Sequence, residues 1–257
     1  MKAGAEAPEI EIEGLRKQYG DAPVVLESID LCVAKREFIS LIGPSGCGKS
    51  TILKLIAGLA SPTSGTIRVE GMTPLNARET ISFVFQDATL LPWRTVQQNI
   101  SLGLELEGAP KVRREKEIAA LLELVGLKHV AASYPRELSG GMKMRVSIAR
   151  ALATDPKLML LDEPFAALDE MTRDRLNEEI LRLRTEQNWT AVFVTHSVPE
   201  AVFLSDRIVV LAPNPGRIHA QFRVELPEPR TSALRSSPEF DAVASRVAHS
   251  LRETLRP

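Results

Sequence analysis

Gly43-Pro44-Ser45-Gly46-Cys47-Gly48-Lys49-Ser50-Thr51 decides the reading of this chain. Its spacing is G-x-x-x-x-G-K-[ST]. The short apolar run Glu37-Phe38-Ile39-Ser40-Leu41-Ile42 precedes it with strand character. Ser50-Thr51-Ile52-Leu53-Lys54-Leu55-Ile56-Ala57-Gly58 follows, with apolar residues at helical spacing and a terminating glycine. Glycines let backbone N–H groups turn inward, and a helix N-terminus adds partial positive charge at the same place. Strand, loop and helix therefore predict a cradle for polyphosphate. Lys49 would reach the β- and γ-phosphates, and the Ser50 hydroxyl would hold Mg²⁺.

Outward from this loop, the bulk properties narrow the setting. The chain has 257 residues and a formal net charge of −1. That length buries a large core, and that charge offers no whole-chain attraction for nucleic acid or an anionic membrane. No apolar run reaches the length of a membrane-spanning helix. Met1-Lys2-Ala3-Gly4-Ala5-Glu6-Ala7-Pro8 carries no apolar signal-peptide core, so a soluble cytoplasmic chain is expected. The two cysteines, Cys32 and Cys47, make neither a disulfide framework nor a metal spacing. Cys32 lies in the apolar run Ile29–Val33 and is expected to be buried. Cys47, at a helix start beside Lys49, is expected to be a reactive thiol of lowered pKa that bound ATP would protect.

Before the loop, Glu9-Ile10-Glu11-Ile12-Glu13-Gly14-Leu15 alternates as a half-buried strand does. Val24–Leu26 and Ile29–Val33 add strand character, which predicts an antiparallel β portion. Tyr19, at a strand end, reads either as a packing residue or as a ring that stacks on adenine. After the loop, Thr66–Glu70 and Ile81–Phe85 read as strands, the latter ending at Gln86. Residues 87–157 turn helical. Lys111–Leu124 is one amphipathic helix whose mixed-sign start reads as a solvated face. A helix over Met142–Ala153 follows Leu138-Ser139-Gly140-Gly141. Strands at 158–161, 190–195 and 207–211 then alternate with helices at 170–187 and 199–204. From residue 38 onward this alternation predicts a parallel α/β sheet. Pro213-Asn214-Pro215-Gly216 turns the chain into a hairpin strand over 217–222. A Pro/Ser/Arg linker over 227–237 leads to a last helix with an apolar edge of Phe240, Val243, Val247 and Leu251. That helix is free to dock on its own subunit or on a second copy.

Further groups fit phosphate chemistry. Asp162, ending an apolar strand, suits a second magnesium anchor, and Glu163 beside it can act as general base on water. Gln86 and His196 also sit at strand ends, where ligands of such sheets collect. Gln86 could coordinate Mg²⁺ or water, and His196 could donate to the γ-phosphate. Ser139-Gly140-Gly141 opens a second helix with exposed N–H groups, a second anion site by the same physics. With one complete phosphate loop per chain, that second site has a use if another copy supplies the partner loop. The expected assembly is a head-to-tail dimer around two ATP.

Tyr19, Gly43–Thr51, Gln86, Leu138–Met142, Leu158–Glu163, Ala167-Leu168-Asp169 and His196 resemble, in order, the motif set of an ABC transporter ATP-binding subunit. The resemblance covers residues 9 to about 222. Closer similarity to ATPases of nitrate/sulfonate/taurine-type importers lies in Val84–Val96, Leu138–Ser147 and Asp162–Asp169. Lys143-Met144 and Ala166 depart from the common family pattern at positions with no expected catalytic group. The resemblance implies a RecA-like P-loop NTPase fold, α/β with a parallel sheet, an antiparallel β portion and an inserted helical subdomain over about 87–157. The ATP-binding domain would span 9–227, with a C-terminal linker and helix over 228–257.

It also implies an ATPase, a translocase that works at the cytoplasmic face of the inner membrane as a peripheral subunit. Its partners would be transmembrane permease subunits and, indirectly, a periplasmic substrate-binding protein. Leu90, Leu91, Pro92 and Trp93 read as part of a groove for a permease segment or as core of the helical lobe. A soluble ABC-type ATPase outside transport is the main rival reading. A small-molecule kinase would share the phosphate loop but have no use for Leu138–Gly141.

Overall fold

The computed structural model describes residues 7–255. Met1–Glu6, most of the segment read as lacking a signal-peptide core, lies outside the described residues. The chain opens with β1 (Ile10–Lys17), β2 (Leu26–Val33) and β3 (Phe38–Ile42), then α1 (Lys49–Ile56), β4 (Ser64–Val69), α2 (Pro74–Ala77) and β5 (Ile81–Val84). A helical stretch carries α3 (Val96–Ile100), α4 (Leu102–Leu106), α5 (Lys111–Leu124) and α6 (Gly140–Leu152). The chain closes with β6 (Leu158–Asp162), α7 (Glu170–Gln187), β7 (Thr190–Val194), α8 (Val198–Leu204), β8 (Arg207–Ala212), β9 (Arg217–Arg223) and α9 (Pro238–Glu253).

Two sheets form. The larger runs β5-β6-β7-β3-β8-β9, parallel from β5 to β8 with β9 antiparallel at one edge. The smaller is the antiparallel β2-β1-β4. The expected antiparallel portion is thus completed by β4, which lies after the phosphate loop and outside the parallel sheet. Every residue of β3, β6 and β7 is buried, as strands covered on both faces must be. Their side chains still sort strictly by the pleat. Phe38, Met159, Leu161, Phe193, Ile208 and Val210 face one core, which also holds Val96, Leu104 and Leu122 of the helical stretch. Ile39, Leu41, Leu160, Val192, Val209 and Leu211 face the other, which holds α1 and the antiparallel sheet.

Two expectations are corrected. Cys32 is exposed, because β2 alternates and Ile29, Leu31 and Val33 take the inward positions. Val24–Leu26 is not a strand of its own, since Leu26 begins β2. Tyr19, left with two readings, is 46% exposed, with Lys17 Nζ 4.3 Å over its ring. The question left open at the C-terminus resolves to the same subunit. Phe240, Val243 and Val247 of α9 are buried in the core that also holds Phe203 of α8 and Val210 of β8. Among the described residues no helix is long and apolar enough to cross a membrane.

Candidate functional site

The C-terminal ends of the central strands converge on the start of α1. β3 delivers the loop 43–48, β6 delivers Asp162 and Glu163, and β7 delivers Thr195 and His196. The neighbour order β6-β7-β3 makes these strands adjacent. Gly48 precedes α1 with φ +95, and a Cβ there would lie 2.4 Å from Leu26 Cδ2. Glycine alone admits both the left-handed backbone and that contact. No side chain caps α1, which leaves its first N–H groups available to a ligand at the loop. Lys49 Nζ is folded into the loop, donating to Gly43 O at 2.8 Å and Pro44 O at 3.0 Å. These carbonyls hold the ammonium where an anion would receive it.

Ser50 Oγ donates to Asp162 Oδ1 at 2.9 Å, joining residues 112 positions apart. Asp162 is buried, and burial pushes its carboxyl above the usual range. Ser50's hydrogen bond lowers it again, Glu163's charge adds to the rise, and Lys54 and Lys49 oppose it. Glu163 adopts φ +47, an uncommon backbone for a non-glycine residue. Its N–H donates to Val194 O at 2.9 Å, which ties the strained turn to β7. Its Oε2 lies 3.3 Å from His196 Nδ1. Ser50, Asp162, Glu163 and His196 therefore form one constellation beside Lys49.

Among the described residues no hydrogen bond joins Gln86 to this constellation, although β5, which leads to it, pairs with β6. Gln86 is exposed beyond the end of β5. Ser139 caps α6, its Oγ accepting Met142 N–H at 3.2 Å, and Ser139 and Gly140 are exposed to solvent. Within one chain Ser139-Gly140-Gly141 has no hydrogen bond to the phosphate loop among the described contacts. Cys47 corrects an expectation: it is fully buried, and desolvation raises its thiol pKa, outweighing the opposing pull of Lys49. A helix start beside a lysine was a misleading signal, because the side chain points inward under Gly43.

Some contributors went unread. Gly216, in the β8–β9 turn, supports the phosphate loop from behind; a Cβ there would fall 2.1 Å from Cys47 O. Arg150 of α6 grips the segment after Gln86, donating to Thr89 O at 3.0 Å and Ala88 O at 3.2 Å. The Pro-Gly turn signal found the position of Gly216 but not its contact. Nothing local marked Arg150.

A glycine-lined loop on a parallel sheet, with Lys, Ser and Asp converging at one helix start, defines a P-loop nucleotide-binding protein. Comparison with known proteins narrows the class. The family model "ABC transporter" matches residues 26–166. The aliphatic sulfonates import ATP-binding protein SsuB of Bacillus subtilis is 44% identical over 237 residues, covering 92% of this chain and 91% of that protein. The nitrate import ATP-binding protein NrtC of Synechococcus elongatus is 45% identical over 241 residues, 92% of this chain and 37% of that longer protein. A dimeric ATP-binding cassette solved in a post-hydrolysis state with ADP and Pi superposes at TM-score 0.78. It has 30% identity and covers 84% of this chain and 99% of that one. The chain belongs to the ABC transporter ATP-binding family.

Proposed function

We propose that the chain is the ATP-hydrolysing subunit of an importer, energising uptake of a small solute of the nitrate, aliphatic sulfonate or taurine type. A separate transmembrane permease would carry the solute, fed by a periplasmic substrate-binding protein, with this subunit peripheral at the cytoplasmic face. One observation carries the ATPase reading. Ser50–Asp162 at 2.9 Å and Glu163–His196 at 3.3 Å flank the same lysine-bearing loop.

In this reading the α1 amides and Lys49 bind the β- and γ-phosphates, and Tyr19, exposed at the surface, stacks on adenine. Ser50 Oγ, the Asp162 carboxylate and the Gln86 side-chain oxygen would hold Mg²⁺, and oxygen donors of this kind fit that hard cation. Mg²⁺ held by these residues would supply neutralisation of the charge that develops on the phosphates. Glu163 takes the proton of the attacking water. His196 orients Glu163 through Nδ1 and lies at the γ-phosphate end. The exposed Ser139-Gly140-Gly141 closes the site of a second copy, making a head-to-tail dimer around two ATP. Residues 9–227 act as the ATP-binding domain, 87–157 as its helical subdomain and 228–257 as a C-terminal addition.

The permease contact has support on the surface. A cleft of about 910 Å³ opens between the β5 edge and the ends of α4 and α6, lined by Ile81, Phe83, Leu102, Leu106, Arg150 and Thr154. Leu106 is 82% exposed and Trp93 is 70% exposed. Leu90 instead packs against the core, so the segment read as one groove divides between both roles.

The test is Glu163→Gln in the full chain. It should retain ATP binding, form an ATP-dependent dimer on size exclusion and lose roughly 10²-fold or more in turnover. Undiminished hydrolysis would overturn the assignment. Deletion in the host, then growth on nitrate, a sulfonate or taurine as sole nitrogen or sulfur source, tests the solute class. Wild-type growth on all of them sinks it.

A further inference from the structure

An ionic link, buried at its Glu200 end and half-buried at Arg173, joins the His196 segment to the turn that precedes α7. Arg173 of α7 donates from Nη2 to Leu168 O at 2.8 Å, and its Nε lies 3.3 Å from Glu200 Oε1. Glu200, in α8, is only 6% exposed. Its Oε2 accepts the Thr195 hydroxyl at 2.6 Å, and Thr195 Oγ1 in turn accepts the Ser197 N–H at 3.0 Å. Thr195 and Ser197 bracket His196, so the carboxylate of Glu200 sets the residues on either side of it.

The other end of the link reaches the glycine segment. A Cβ on Gly141 would sit 3.2 Å from Ala167 O and 3.2 Å from Leu168 Cδ2. Leu168 is thus held by Arg173 from one side and lies against Gly141 on the other. A buried carboxylate costs stability unless paired, and an apolar residue would fill the same position in α8 without that cost. Both partners of Glu200 act on loops at the site, Thr195 beside His196 and Arg173 through Leu168. That is what a positioning role requires.

We propose that Arg173 and Glu200 are positioning residues that lock the His196 loop to the 166–169 turn. The Glu163–His196 pair of one nucleotide site then moves as a unit with the Ser139-Gly140-Gly141 segment that the same subunit lends to the other site. The inference rests on the shared-site reading and deepens it: each hydrolytic pair reports to the site across the dimer through its own subunit.

Two conservative variants of the full chain test this. Glu200→Gln keeps an acceptor for Thr195 and removes the ion pair. Arg173→Lys keeps the charge but cannot serve both Glu200 and Leu168 O. Steady-state turnover is read against binding of a fluorescent ATP analogue, the Hill coefficient for ATP and the melting temperature. Each variant should lose about tenfold or more in kcat, with KM and analogue affinity within about threefold and a Hill coefficient falling toward 1. The double variant should be no worse than the poorer single one, because both act through one link. Variants with wild-type kcat and Hill coefficient, whatever their melting temperature, overturn the proposal alone. So does a kcat loss matched by an equal loss of analogue affinity. A wild-type chain that neither binds nor hydrolyses ATP overturns the functional reading beneath it.

Discussion

Asp162 shows how a site residue works against the stability of the protein that carries it. Its folded-state pKa is raised, chiefly by burial, above the ordinary carboxylate value. The folded state therefore holds the proton more tightly than the unfolded chain does. The contribution is full below the unfolded pKa and is lost as pH rises through the folded one. At neutral pH the ionised carboxylate destabilises the nucleotide-free protein. Asp162→Asn, which keeps an acceptor for Ser50, should raise the melting temperature at pH 7–8 by about a few degrees, because it removes a buried charge. The gain should vanish toward acid, and a gain that grows as pH falls would contradict the sign. The cysteines give a second test. Cys32 is exposed and Cys47 buried with a raised pKa. Maleimide should label the native chain once, at Cys32, with or without ATP, and Cys32→Ser should abolish native labelling. Rapid labelling of Cys47 would show that its burial is not maintained.

The C-terminal elements are held by means a helical pattern does not reveal. The apolar edge of α9 was legible as Phe240, Val243, Val247 and Leu251; the first three are buried and Leu251 is partly buried against the same core. What the edge covers depends on the preceding linker. Arg230, 7% exposed, donates from Nη1 to Phe203 O at 3.0 Å and Ser205 O at 2.8 Å, satisfying the last carbonyls of α8. Arg235 stacks over Phe203 at 4.1 Å and pairs with Asp174 of α7 at 3.1 Å. A linker read from its Pro, Ser and Arg content as a spacer is therefore a strap across α7 and α8. Phe240→Ala should cost about 3–5 kcal/mol in denaturant unfolding, by lost transfer energy and an unfilled cavity. Arg230→Met should cost about 1–3 kcal/mol, because buried carbonyls lose their donor. Wild-type stability in either variant would mean that the strap and α9 do not support α8.

At the level of assembly, the exposed apolar surface of the helical stretch is the feature with most to test. Trp93 and Leu106 lie on different parts of it, the first beside the Gln86 segment and the second in the cleft at β5. If a permease segment enters the cleft, Leu106→Asp should abolish copurification with membrane subunits. Trp93→Ala should weaken it, and ATP binding by the isolated chain should stay within about twofold in both. Retained copurification in both variants would remove this face as the docking site. The antiparallel sheet is a second case where position along the chain misleads. β4 has ordinary strand character and follows α1, yet it pairs with β1 instead of joining the parallel sheet.

Local spacing determined the phosphate loop, the nine strands among the described residues and the helices α1 and α5 to α9, and it put Asp162, Glu163 and His196 at strand ends. Each of these depends on a few neighbouring residues, where glycine placement and apolar period act directly. α2 was not read, and α3 and α4 only as part of a helical stretch. Tertiary structure decided the strand order, the faces of the central strands and the burial of Cys47 beside an exposed Cys32. It also decided the Arg173–Glu200 link and the seat of α9. Strands buried on both faces carry no alternation to read, and contacts such as Ser50 to Asp162, 112 residues apart, exist only once the sheet has brought separate strand ends together.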